Sequence, residues 1–268
     1  LTILKPLIAK NGWFRNQILP WCLPVGFLVS WQLLTQLGII STRILPAPLS
    51  VLEAAVDLTK SGLLPDYIQS SASRAFYGFA IGGGIGFLLG LLNGIWKLAE
   101  QVLDTSMQMI RNIPNLALIP LVIVWFGIGE ESKVILIASS VFFPIYLNTY
   151  HGIKNVDPLL KEMGIVYRLK GFSLFWKVIL PAALPSIIVG LRFSLGVMWL
   201  TLIVAETIAS NSGIGYMATN AREFMQMDIV VLSVIIYALF GKLSDVIARA
   251  MERRLLQWHP NYSVQEGN

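Results

Sequence analysis

Six predominantly apolar runs divide the chain: Ile18–Leu37, Ala75–Ile95, Ile113–Gly129, Val134–Ile153, Ala182–Ala209 and Ile229–Ala248. Each approaches the length of about 20 residues that carries an α-helix across roughly 30 Å of hydrocarbon. The pattern predicts an all-α polytopic membrane protein with about six transmembrane helices at 18–37, 75–95, 113–129, 134–153, 182–209 and 229–248 in a single domain, 1–268. The second run carries no charge at all. The third and fourth are parted by the acidic pair Glu130–Glu131, which predicts an antiparallel hairpin turning there. Between the fourth and fifth runs lies a basic, more polar loop, 154–181, whose core reads DPLLKEMGIVYRLKGFSLFWKVILP.

Composition agrees with this pattern. Of 268 residues, 55% are hydrophobic and 13% charged, and the mean hydropathy is +0.68; soluble domains carry roughly 25% charged residues. The single cysteine, Cys22, excludes a disulfide framework within one chain. The first run is long and lacks a small-residue cleavage site, so it reads as a retained helix.

Lysine and arginine set the orientation. Lys5, Lys10 and Arg15 precede the first run. Lys154, Lys161, Arg168, Lys170 and Lys177 fill the 154–181 loop, and Lys242, Arg249, Arg253 and Arg254 close the last run. Both termini and the loop are therefore expected on the cytoplasmic side of the membrane. The net charge of +5 is a topology signal. It calls for no nucleic acid, and most of these side chains suit anchoring to anionic lipid. Arg74 and Arg111 read as anchors at opposite faces.

Within the second run, Gly78, Gly82, Gly86, Gly90 and Gly94 recur at every fourth position. Such a row leaves one helix face smooth enough for another backbone to approach. It lacks the Lys-Ser/Thr ending of a phosphate loop. Ahead of it, Ser50 is placed to cap a short outer helix over 51–60. Prolines 114, 120, 144, 181 and 185 fall at span starts or inside spans, where they free carbonyls and kink helices. No catalytic or metal-binding motif appears, so no catalytic or metal-ligating residue is expected.

In the loop, Asp157 followed by Pro158 is a helix start, an N-cap and a first-position proline. Leu159, Met163, Val166 and Tyr167 fall on one helical face, and Gly171 is placed to end the helix in a left-handed cap. Ser173 can open a second helix running through Leu180–Pro181 into the fifth span. Spacing alone makes this a docking knob or an interfacial helix.

Here the chain resembles a known family. The permease subunits of bacterial ABC importers carry a cytoplasmic loop with Glu-Ala-Ala, three residues, Gly, nine residues, then Ile-x-Leu-Pro. Glu162, Leu180 and Pro181 match; Met163 and Gly164 replace the alanines, Val178 the isoleucine, and Arg168 stands where the family has glycine. This substitution shifts the expected turn to Gly171. STRILPAP at 41–48, LDTSMQMIRNIPNLALIPLVIVWFGI at 103–128, FPIYLNTYHGI at 143–153 and the long stretch 178–224 extend the resemblance. They point to the aliphatic-sulfonate branch, beside the taurine and nitrate or bicarbonate permeases. The resemblance implies a type I ABC importer permease fold and no enzyme activity in this chain. It also implies a homodimer with a second permease copy, two ATP-binding subunits that hold ATP and Mg, and a periplasmic substrate-binding protein. Glu162, Met163, Gly164, Arg168 and Gly171, with Leu180 and Pro181, would couple the loop to the ATPase.

A charge inside a span should face protein or water. Arg192 and Glu206 lie in the fifth span on similar faces. With Asn148, Ser194 and Trp199 they are the candidates for an anion pathway, against the alternative of salt bridges and backbone bonds inside the bundle. An ion-coupled secondary transporter, the rival class, should show an internal repeat or several buried acids; only Glu206 qualifies.

Overall fold

The computed structural model describes residues 12–258. Lys5, Lys10 and His259 lie outside the described residues, as does the side chain of Arg15. Regular structure among the described residues is entirely helical. The chain packs as two compact units, one comprising the residues up to Leu64 with Ala218–Val234, the other Pro65–Met217 with the residues from Ile235 onward.

In the first unit, α1 (Gly12–Gln36) is helical through most of the expected first run, but it is not among the described helices long and apolar enough to cross a membrane. α2 runs Pro48–Lys60, with Pro48 rather than Ser50 at its start. The ring of Pro48 presets φ for the first helical position, so the helix opens ahead of the expected cap. Gln32 of α1 holds α2 by accepting a hydrogen bond from the Leu49 N–H at 3.3 Å.

α3 (Leu63–Ile95) begins well before the expected Ala75, and α4 (Lys97–Arg111) follows after a break at Trp96. The expected span at 113–129 is not one helix. A 3₁₀ turn (Asn115–Leu118) leads into α5 (Ile119–Phe126), only 8 residues long. At 1.5 Å per residue that covers about 12 Å, too little to cross a bilayer. Instead α4 and the 115–126 segment form a bent pair at 86°. Pro114 supplies the break, since it lacks an N–H and disfavours helix in the residue before it. Asn115 pins the elbow, donating to the Leu136 carbonyl at 3.2 Å and accepting from Ser139 at 2.6 Å. Nor do Glu130–Glu131 form a turn: they open α6 (Glu130–Lys154), where carboxylates favour the positive end of the helix dipole.

The loop then forms α7 (Pro158–Val166) and α8 (Gly171–Leu174). A π-helical turn over Phe175–Ile179 joins α8 to α9 (Leu180–Ala209). α10 (Ile214–Glu223) and α11 (Met227–Leu255) complete the chain. Among the described residues four helical segments are long and apolar enough to cross a membrane: Leu63–Ile95, Glu130–Lys154, Gly171–Ile208 and Met227–Leu255. The bent pair makes up to a fifth. The protein is a multi-pass membrane protein.

The core sits around α6. α9 runs antiparallel to it: Gly152 meets Ala183 and Ser186, Gly190 meets Asn148 and Pro144, and Ile137, Val141 and Ile145 pack with Met198 and Leu202. On its other flank α6 receives the glycine row of α3. A Cβ on Gly86 would lie 2.5 Å from the Phe142 carbonyl oxygen, one on Gly90 2.7 Å from that of Tyr146, and one on Gly94 2.8 Å from Ile153 Cβ. Gly78 faces Ile137, and Gly82 faces the Ala138 backbone. Gly84, off this row, faces open space.

The same substitution should therefore have opposite effects two residues apart. Gly86→Ala is expected to destabilise by about 1–3 kcal/mol through overpacking. Gly84→Ala should leave stability unchanged or raise it by roughly 0.5–1 kcal/mol, as alanine is the better helix former. Melting curves of the purified variants in one detergent check both.

Candidate functional site

At one end of α6 lies the loop. Asp157 caps α7 as its spacing predicts, its carboxylate accepting from the Leu159 N–H at 2.8 Å, with Pro158 in the first turn. The end of α7 departs from expectation. Helix geometry stops at Val166, and Arg168 adopts φ +61°, the left-handed conformation. The Arg168 N–H donates to the Ile165 carbonyl at 2.9 Å and the Leu169 N–H to that of Gly164 at 3.0 Å. These two bonds make a Schellman turn. The turn is thus retained at Arg168, where the family has glycine, and does not shift to Gly171. Gly171, itself at φ +52°, opens α8.

Gly164 explains the small residue at its position in the loop pattern. It is buried, and a Cβ there would come within 2.5 Å of Leu174 Cδ1 and 3.2 Å of Val178 Cγ2. α7 therefore folds back onto the start of the long helical segment. Its other side is open: Glu162, Leu159, Met163, Val166 and Tyr167 are exposed, as are Phe172 and Trp176 of the following turn. The Leu180 N–H reaches back five residues to the Phe175 carbonyl, which closes the π turn just before Pro181. Nearby, Glu100 at the start of α4 accepts from Tyr150 at 2.6 Å and pairs with Lys154, tying α4 to the loop end of α6.

The far end of the same helices holds a charge cluster in which Arg74, Lys133 and Glu206 are buried and Glu130 is exposed. Arg74, expected to be an interfacial anchor, is 3% exposed. Its Nε and Nη2 donate to the two oxygens of Glu130 at 2.5 and 2.7 Å. Nη1 donates to Glu206 at 2.7 Å and to the Ser212 carbonyl at 2.8 Å, and Nη2 also reaches Ser212 Oγ at 2.5 Å. All five N–H donors of the guanidinium are used. Lys133 adds a second cation on Glu130 at 2.8 Å. Two cations thus face two anions, as a buried charge requires.

Glu206 is fully buried, and both oxygens are taken up within the protein. Ser71 donates to both, at 2.7 and 2.9 Å; the Gly215 N–H donates at 2.9 Å and the Tyr237 hydroxyl at 3.0 Å. Glu206 therefore caps the start of α10 and balances Arg74. Ser71 also accepts from the Ile214 N–H at 2.9 Å. Gly213, at φ +99°, lies directly over the Arg74–Glu206 pair, where no side chain fits.

The pathway candidates do not converge. Arg192 pairs with Asp245 at 2.9 Å and lies 3.8 Å from Glu252. It is separate from Glu206, whose cation is Arg74. Asn148 donates to the Pro144 carbonyl at 2.8 Å, and the fully buried Ser194 donates to that of Leu191 at 2.8 Å. Trp199 donates to Ser244 at 2.8 Å and stacks on Phe240. Sequence reasoning missed Arg74 as the cation of Glu206, and Glu130 and Lys133 as the pair that joins it. The available signal was that Arg74, Glu130 and Lys133 border apolar runs at ends that the expected topology brings to the same side as the Glu206 end of the fifth run.

Residues 82–257 match the family described as binding-protein-dependent transport system inner membrane component. The chain is 56% identical over 250 residues to an Escherichia coli protein named as the aliphatic sulfonates transport permease SsuC, covering 93% of this chain and 95% of that one. It is 44% identical over 258 residues to a Bacillus subtilis protein of the same name, covering 96% and 92%. In structure it resembles a chain of the MetNI methionine ABC transporter in an inward facing conformation, with a TM-score of 0.55 and 20% identity over 70% of this chain and 95% of that one.

Two substitutions probe the two ends. Arg74→Gln leaves Glu206 as an uncompensated buried charge and is expected to cost about 3–5 kcal/mol, visible as a large fall in melting temperature. Arg168→Gly relieves a side chain held in the left-handed region and should stabilise the turn by about 1–2 kcal/mol. Slower proteolysis at 166–170 would report it.

Proposed function

Because the chain belongs to the family of binding-protein-dependent transport system inner membrane components, we propose that it carries an aliphatic sulfonate inward across the bacterial inner membrane. It is the transmembrane subunit of an ABC importer, with the type I permease fold. The observation that carries the substrate reading is the 56% identity, nearly end to end, to a permease named for aliphatic sulfonates.

In this reading two copies pair around the path, and both termini face the cytoplasm. A periplasmic binding protein delivers the anion. Two ATP-binding subunits hold ATP and Mg and perform the hydrolysis; this chain is not an enzyme. The exposed side of α7, with Glu162 and Met163, docks on an ATP-binding subunit, and Arg168 and Gly171 shape the turn beside it. Gly164 locks α7 onto the base of the long helical segment through Leu174 and Val178. Displacement of the docked loop is thereby passed through Leu180 and Pro181 into α9. The charge cluster then moves the far ends of α3, α6 and α9 together, giving alternating access.

Vesicles carrying the reconstituted complex, with binding protein and ATP on their proper sides, should accumulate a labelled alkanesulfonate only while ATP is hydrolysed. Competition by taurine, nitrate and bicarbonate orders the alternative anions. Accumulation driven by a proton or sodium gradient without ATP would instead establish an ion-coupled carrier.

A further inference from the structure

One helix of the bundle has been left without a role. On α4, Gln101, Asp104, Thr105, Gln108, Arg111 and Asn112 recur at helical spacing and form one polar stripe, while Leu98, Val102 and Met109 fall on another face. The stripe is knit along the helix. Gln108 donates to Asp104 at 2.7 Å, and Asn112 to the Gln108 carbonyl at 2.9 Å.

The contacts of α4 with α6 fix its depth. Near its start Glu100 meets Tyr150 and Lys154. Just past its end Asn115 meets Leu136 and Ser139. Tyr150 lies about 30 Å along α6 from Glu130, but Leu136 and Ser139 only about 9 and 14 Å. α4 therefore descends beside α6, itself long and apolar enough to cross the membrane, instead of lying on the membrane surface. Arg111 comes one turn before Asn115, roughly 15 Å from the Glu130 end of α6 and near the middle of a crossing of about 30 Å. It is not the interfacial anchor expected from the sequence, because its short methylene stem does not reach either boundary from there.

Among the described residues no carboxylate pairs with Arg111, and α1 contains no acid to offer it. Asp104 stands about 10 Å away along the helix. A charge at this depth has to face protein or water. Two copies that share one membrane orientation are related by an axis along the bilayer normal, so the same stripe of each meets at equal depth. Arg111 then stands opposite Arg111, and Asp104 opposite Asp104. A dry contact would bury like charges together, and lipid would bury them unpaired. Water between the stripes avoids both, and an oxyanion between the two arginines takes hydrogen bonds from both guanidinium forks.

We propose that the polar stripe of α4 lines the translocation path and that Arg111, opposite its counterpart in a second copy, is a binding residue for the passing anion. This rests on the reading above, in which two copies pair around the path of a sulfonate.

The test uses the complete complex in membranes during ATP turnover, with Cys22→Ser removing the native thiol. Thr105→Cys, Gln108→Cys and Met109→Cys are treated separately with methanethiosulfonate ethylsulfonate, an impermeant anionic thiol reagent, and with its cationic trimethylammonium counterpart. Both stripe positions are expected to react at least tenfold faster than Met109→Cys, which lies at similar depth on the apolar face. Adding Arg111→Gln to Gln108→Cys should lower the ratio of anionic to cationic rates at least tenfold, whereas Arg111→Lys, which keeps the charge, should hold it within about threefold. A saturating alkanesulfonate should slow modification of Gln108→Cys about tenfold, and Arg111→Gln should abolish that protection. Stripe positions no more reactive than Met109→Cys mean a dry or lipid-facing stripe and overturn the proposal. A rate ratio unchanged by Arg111→Gln overturns it too, as does modification unaffected by sulfonate in a complex shown to import it. A complex that imports no sulfonate refutes the substrate reading and the ligand named here, while the rate ratio still decides whether Arg111 faces the path.

Discussion

The structure turns on how closely other backbones approach α6. Inside a bilayer apolar surface gains nothing by leaving lipid for protein, so helices associate through van der Waals contact and hydrogen bonds. Contact of that kind needs short range. α3 achieves it with a glycine at every fourth position, and α9 with Gly190 set against Asn148 and Pro144. A single helix is thereby gripped on two flanks. The placement of the loop beyond Lys154 and of the charges beside Glu130 follows from that grip.

The two ends of the gripped bundle are built from different chemistry. At the loop end the fastening is apolar and short-range: Gly164 admits Leu174 and Val178, and a pair of backbone hydrogen bonds closes the turn. At the other end the fastening is ionic and saturated. Arg74 engages Glu130 of α6, Glu206 of α9 and the Ser212 segment at once. A cluster of this kind resists rearrangement, because displacing Arg74 or Glu206 would leave a buried charge without its partner. The loop end leaves leucine, methionine and aromatic side chains exposed, while the ionic end keeps three helices in one arrangement.

Much of this was legible in the residues. The four-residue glycine period and the Asp157–Pro158 start are local signals, and local signals survive in sequence. Hydropathy failed at 113–129 because it averages over composition: the run is apolar enough to span, yet Pro114 and the side-chain bonds of Asn115 bend it away. The turn at Arg168 was misplaced because glycine is the usual occupant of a left-handed position, whereas here the closing bonds to Ile165 and Gly164 decide where the chain turns. Arg74 joins acids more than fifty positions away, and single-sequence periodicity carries no information about such pairs.

The π turn at Phe175–Ile179 has a geometric consequence for the long segment that contains it. Each residue of an α-helix advances about 100° around the axis. A π turn accommodates one extra residue, so the loop-side residues and the span-side residues do not share one helical wheel. A wheel drawn through the whole segment assigns faces wrongly on one side of Phe175 by about that angle. The turn is thus a phase offset between the exposed surface of the loop and the surface that meets the bundle. Loss of one residue there would re-clock the two surfaces while leaving every side chain on both of them unchanged.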